Sequence, residues 1–189
     1  MILELLSAIF LTTQTAQAAT ITAAVNANVA VAGKPTALPI AIKSSEASFV
    51  ASAGGGTVNI EGKGAKLKAA PMFGDGKLSG TFELPISEFT TDMAKRDEHM
   101  KKVMVVDKYP TAKFELEPVV AKGDQNCVGA LTLKGVTSKP KSCKISFEGN
   151  HAKVLMEISL TDFSIERASF LGVKVDDKVV AKIDFDMQI

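Results

Sequence analysis

The chain predicts an all-β protein, either an antiparallel sandwich or an up-and-down barrel of about eight strands, with one short helix near one end. Three observations carry this expectation. Apolar and polar side chains alternate through much of the chain from residue 37 onward. Clusters of turn-forming residues separate the alternating runs. Only Thr90 to Val103, "TTDMAKRDEHMKKV", is polar and spaced like a helix.

The N-terminal part differs from the rest. Residues 1–18 hold a short apolar run, "LLSAIFL", followed by Ala16-Gln17-Ala18. These supply the small residues that signal peptidase requires, so residues 1–18 are expected to be a signal peptide cleaved before Ala19. Glu4 stands where a basic residue is usual, so the signal is atypical or its start lies upstream. The run is too short to span a bilayer. Residues 19–36 are small and β-branched and form an N-terminal extension or a first strand. Residues 37–189 are expected to be one domain, large enough for a single core or one enclosed cavity.

The strands follow in order. Period-two patterning puts Val58 and Ile60, Phe82 and Leu84, Phe114 and Leu116, and Leu131 and Leu133 on an inward face. It does the same for Ile145 and Phe147, Met156 and Ile158, and Ile183 and Phe185, with Glu83, Glu115, Lys144, Glu157, Lys182 and Asp184 facing water. "GGGT", "GDGK", "KGDQN" and "EGN" provide the turns. Strands apolar on one face need a second sheet or closure on themselves, and closure removes exposed edges. A barrel of about eight strands is wide enough for one slender apolar ligand.

In the helical stretch, Met93, Met100, Val103 and Met104 recur at helical spacing, partly opposite Lys95, Arg96, Glu98, Lys101 and Lys102. Such a helix could plug or gate one end of a barrel. His99 sits among Arg96, Asp97 and Glu98, but neither a second histidine nor a partnered cysteine accompanies it. Adjacent positions on a helix diverge in angle, so Asp97, Glu98 and His99 converge poorly on a metal. The expected role of Arg96, Asp97 and His99 is structural, through hydrogen bonds or ion pairs. The competing reading, an enzyme such as a metal-assisted hydrolase or isomerase using His99, has no phosphate loop, nucleophile elbow or paired-carboxylate motif beside it. Neither a cofactor nor a metal is implied.

Cys127 and Cys143 flank two strand-like runs with a turn between Gly135 and Pro140, so they could face each other near the open end of a hairpin. Free buried thiols and a metal pair are the other readings; a structural disulfide is expected, worth roughly 3 kcal/mol for a loop of this size. It fits the oxidising compartment that a signal peptide implies. Net charge is +1 with both signs interspersed, so no footprint for nucleic acid or an anionic membrane is present.

"RDEHM", "DKYPTAKFE", "GALTLKGVTSKP" and "FSIERASFLGVKVDDKVVAKIDFDM" occur in the order and spacing of the YceI-like family, which this chain resembles over roughly residues 37–189. Arg96-Asp97-x-His99, Lys108-Tyr109-Pro110 with Phe114, and Leu131 to Thr137 match its motifs residue by residue. The chain departs from the family pattern at "SEAS" (Ser45 to Ser48), at "VMVV" (Val103 to Val106), in lacking Trp, and in carrying the two cysteines.

The resemblance implies a lipocalin-like barrel in an exported, periplasmic or secreted, protein that binds a polyisoprenoid or quinone-like lipid. A setting in envelope stress is one reading of that role. No stable membrane insertion is implied, and a homodimer is left open. Expected lining residues are Phe49, Phe82, Leu84, Phe114, Leu131, Leu133, Ile145, Phe147, Met156, Ile158, Ile183 and Phe185, with Met100 and Met104 at the mouth. The alternative to a ligand cavity is a filled core in an envelope interaction module.

Overall fold

The structure, a computed structural model, describes residues 37–170 and 172–189. The expected signal peptide (1–18) and extension (19–36) lie outside the described residues. Strands β1 (Leu38–Pro39), β2 (Ala41–Ala53), β3 (Val58–Ala65), β4 (Lys68–Gly74) and β5 (Lys77–Pro85) precede a 3-10 turn, Ile86–Glu88, and the helix α1 (Ala94–Met104). Strands β6 (Thr111–Val120), β7 (Gly123–Asn126), β8 (Gly129–Leu133), β9 (Val136–Ser138), β10 (Ser142–Glu148) and β11 (His151–Ser159) follow. A second 3-10 turn, Thr161–Phe163, leads to β12 (Ser169–Phe170) and β13 (Val173–Gln188).

The strands pair antiparallel in two sheets, β1-β4-β5-β6-β8-β9 and β3-β2-β13-β11-β10-β7, with β12 paired on β13. Among the described residues there are thirteen strands rather than eight, and no single ladder runs through both sheets. The excess has a local cause. β1, β9 and β12 are two- or three-residue pieces. At Lys66-Leu67 and again at Cys127-Val128 the chain leaves one sheet and enters the other after a two-residue break, dividing β3 from β4 and β7 from β8.

Backbone amides freed at the first break find side-chain acceptors. Lys66 N donates to Glu88 Oε2 at 3.0 Å and Leu67 N to Ser45 Oγ at 3.0 Å, so the bend costs no buried unpaired donor. Asp176 holds the β2–β3 hairpin tip in the same way, accepting from Gly55 N and Gly56 N. That tip turns through Gly54, Gly55 and Gly56, all at positive φ where a side chain would be strained. Asp177 accepts from Ser159 Oγ, Thr161 Oγ1 and Thr161 N, which pulls its carboxyl below the usual carboxylate range.

Most of the predicted inward stripes are inward; the exception is on β3, where Ile60 is half-buried and Val58, beside the glycine hairpin tip, is 45% exposed. Phe82, Leu84, Phe114, Leu116, Leu131, Leu133, Ile145, Phe147, Met156, Ile158, Ile183 and Phe185 are all buried. Cys127 and Cys143 are joined, with Cα atoms 5.0 Å apart. Their setting differs from the expected open end of one hairpin: Cys143 lies on β10, which pairs with β7 and not with β8 or β9. The bond therefore ties the crossing from β7 to β8 onto β10, beside the hydrogen bond from Cys127 N to Cys143 O.

Candidate functional site

Side-chain size along the inward stripes decides where space remains. On β13 the stripe runs Val179, Ala181, Ile183, Phe185, Met187, and on β6 it runs Ala112, Phe114, Leu116. On β2 it includes Ala51 and Ala53. The small residues of β2, β6 and β13 lie toward α1, and there the two sheets enclose a cavity of about 540 Å³. This is within the usual range for small-molecule sites, roughly 300–1,000 Å³. The bulky residues lie toward the disulfide. Phe82, Phe114, Ile145 and Phe185 meet there with Cys127, and the space left between them is only about 10 Å³. Phe82 and Phe185 pack ring against ring at 5.6 Å.

The expected lining set therefore divides. Phe49, Leu84, Met100, Met104, Leu131, Leu133, Met156, Ile158 and Ile183 line the cavity. Phe82, Phe114, Ile145 and Phe185 do not; they fill the opposite end, and Ile183 alone borders both spaces. Phe147 borders neither and belongs to the packed core. Sequence reasoning chose large apolar residues, whereas Ala51, Ala53, Ala112 and Ala181 make the space by being small. The signal was present in "SFVASA", where every second residue is Phe or Ala. The segment from Ile165 to Ala168 also contributes lining that alternation could not show, because it lies between the second 3-10 turn and β12.

Helix α1 covers the cavity with Met100, Val103 and Met104, which pack against the core while remaining partly exposed. It contains no fully buried residue, as expected of a cover rather than a core element. Its start is fixed from outside. Asp97 Oδ1 accepts from Thr91 N at 2.7 Å and Thr91 Oγ1 at 2.6 Å, and these bonds hold its carboxyl below the usual range. Arg96 pairs with Asp92 at 2.7 Å and reaches Met93 Sδ at 3.1 Å. His99 has no hydrogen bond or ion pair among the described residues and lines the cavity instead. The helix ends at Val105, a β-branched residue in the left-handed region at φ 52°.

At the mouth, Met93, Val58 and Val173 line the cavity while staying 42–45 % exposed. Lys95, His99 and Glu166 are exposed and line the cavity as well, so its rim carries polar groups beside these apolar ones. Phe49 stands over Gly62, where an added Cβ would lie 2.2 Å from its ring, and meets Phe89 edge-on at 5.4 Å. Among the described residues no group of three or more His, Cys, Asp or Glu side chains is arranged to hold a metal. Nor is any helix there long and apolar enough to cross a membrane.

The sequence profile of the YceI-like domain matches residues 38–188. Among solved structures, the chain is similar to BcnA of Burkholderia cenocepacia, at 18% identity and TM-score 0.62, over 77% of this chain and 96% of that one. It is also similar to a polyisoprenoid binding domain from Saccharophagus degradans implicated in plant cell wall breakdown, at 13% identity and TM-score 0.58, over 79% and 97%. A Campylobacter jejuni YceI protein aligns at 18% identity and TM-score 0.55, over 70% and 86%. These identities speak for the fold. No curated protein matches the sequence. With the profile covering most of its length, the chain belongs to the YceI-like domain family.

Proposed function

We propose that the protein is an exported carrier that holds the apolar chain of an isoprenoid or similar lipid in the cavity beneath α1. The observation that carries this reading is the cavity itself, about 540 Å³ with an almost wholly apolar lining. An empty apolar space of that size is costly to leave in a core, since lining atoms lose their packing partners. A chain that fills it gains roughly 0.8 kcal/mol per methylene buried, before losses of its own freedom. The relative from Saccharophagus degradans, titled a polyisoprenoid binding domain, supports an isoprenoid as the chain.

The container in this reading is a barrel. If β3 with β4 and β7 with β8 each count as one bent strand, the order β2, β3/β4, β5, β6, β7/β8, β10, β11, β13 returns to β2 through the pairings already described. The Cys127–Cys143 bond supports export to an oxidising compartment. Among the described residues Asp97 is bonded to Thr91 and not to His99, so the enzyme alternative built on His99 has no acid–base pair assembled around that residue.

Native mass spectrometry of the protein purified from its source cells, followed by solvent extraction, tests the reading. A stoichiometric long-chain isoprenoid is the expected result. A chain that stays ligand-free through gentle purification, and takes up no added isoprenoid, would overturn it.

A further inference from the structure

We propose that Met100 and Met104 form a redox-sensitive release site: a peroxide oxidises their thioethers to sulfoxides, and the cavity then gives up the apolar chain it holds. This inference rests on the carrier reading and adds its regulation. Of the seven methionines in the sequence, four line this one cavity, namely Met93, Met100, Met104 and Met156. The chain has no tryptophan, and among the described residues no cysteine is free. Thioether sulfur is therefore the group there that a peroxide attacks first.

The four are not equivalent. Met156, on β11, is only 3% exposed. Met93 stands exposed at the mouth, and its sulfur accepts from Arg96 Nη2 at 3.1 Å. Met100 and Met104 lie one turn apart on α1, half-buried, and pack on the core while lining the cavity. A water-sized oxidant reaches them, and a chain filling the cavity lies against them. Among the described residues, Met93 is the one lining methionine whose sulfur has a hydrogen-bond donor.

In the reaction a sulfur lone pair attacks one oxygen of hydrogen peroxide, and the O–O bond breaks. The sulfur keeps that oxygen, its proton passes to the departing oxygen, and water leaves. The thioether loses an electron pair and the peroxide is reduced. A flexible apolar side chain has become a strongly polar one. At Met93 the sulfoxide oxygen stays near solvent, with Arg96 beside it. At Met100 and Met104 the new oxygens meet an apolar lining, where a polar group without a partner is costly. Water entering the cavity or α1 lifting from the sheets lowers that cost, and either one expels the chain. The helix has no fully buried residue to hold it down. Reduction of the sulfoxides restores the apolar wall, so the change is reversible.

The test titrates the mature protein with a neutral phenylnaphthylamine dye before and after hydrogen peroxide, with peptide mass spectrometry locating each sulfoxide. Oxidation at Met100 and Met104 should precede that at the buried Met156 and Met187, and should weaken dye binding roughly tenfold or more. Methionine sulfoxide reductase with a dithiol reductant should restore it, a readout that needs the parent chain alone. In Met100→Leu/Met104→Leu, whatever the affinity beforehand, peroxide should leave it unchanged. Met100→Gln/Met104→Gln, with a polar amide at both positions, should bind dye more weakly than the leucine variant without any peroxide. Circular dichroism checks that each protein is folded. Dye binding that survives oxidation of both residues, is lost equally in the leucine variant, or falls only because the protein unfolds would overturn the release site and leave the carrier reading standing. An untreated protein that binds neither the dye nor an added isoprenoid would overturn both.

Discussion

Ala112 and Phe114 sit two residues apart on β6 and belong to the same inward stripe, yet one lines an open cavity and the other closes a packed core. The same change occurs on β13 between Ala181 and Phe185, with Ile183 as the boundary. One sheet pattern thus builds two regions of different purpose. Toward the disulfide, large side chains meet and lock the sheets; toward α1, alanines hold the walls apart. Alternation decides which residues face inward, and side-chain volume decides whether the interior is full.

The largest effects should come from breaking the filled region. Phe114→Ala or Phe185→Ala should cost about 3–5 kcal/mol in urea unfolding, because a buried aromatic is lost and a void is left. Removing the cross-link with Cys127→Ala/Cys143→Ala should cost roughly 3 kcal/mol in the chain-entropy model, again read by urea unfolding. These substitutions should lower stability well before they touch the cavity walls around Ala51 and Ala181.

Intermediate effects are expected at Gly62, where the two requirements meet. An added methyl there would drive the Phe49 ring off its seat, so Gly62→Ala should cost about 1–3 kcal/mol. It should also change dye binding, since Phe49 lines the cavity. A variant that alters neither stability nor binding would show that Phe49 does not need its place over Gly62.

The smallest effect concerns pH. The folded-state pKa of Asp177 lies below the ordinary value because Ser159 and Thr161 donate to its carboxylate. Its contribution to stability is therefore complete above the unfolded carboxylate value of about 3.9 and is lost as pH falls through the folded value. Asp177→Asn should lower the Tm modestly near neutral pH, and the gap from the parent chain should close in acid. A gap that persists or widens in acid would contradict the hydrogen-bond account of Asp177.

Much of this was legible in the sequence, for physical reasons. Alternation identified the inward residues except at Val58, because the strand period is two and a slip would expose the whole stripe. Helical spacing placed Met100, Val103 and Met104 on the covering face of α1. The partner of each cysteine was legible too, but not its strand, since crossings between sheets at two-residue breaks leave no periodic signal. Position along the stripe was the harder quantity. Phe82, Phe114 and Phe185 read as lining because they are large and inward, whereas vacancy is made by what is absent at Ala51, Ala112 and Ala181. The roles of Lys95 and His99 as lining were hidden for another reason, as a partly exposed helix face carries no burial pattern.

The central claim is that the space left by the alanines is the binding space. Ala112→Leu/Ala181→Leu adds apolar volume to that space; both alanines also pack against the core, so a cost of about 1–3 kcal/mol is expected, with urea unfolding checking that the variant folds. Titration of both proteins with the neutral phenylnaphthylamine dye is the direct test. The account predicts saturable binding by the parent chain and loss of it in the leucine variant. Equal binding by both, with the variant folded, would contradict it.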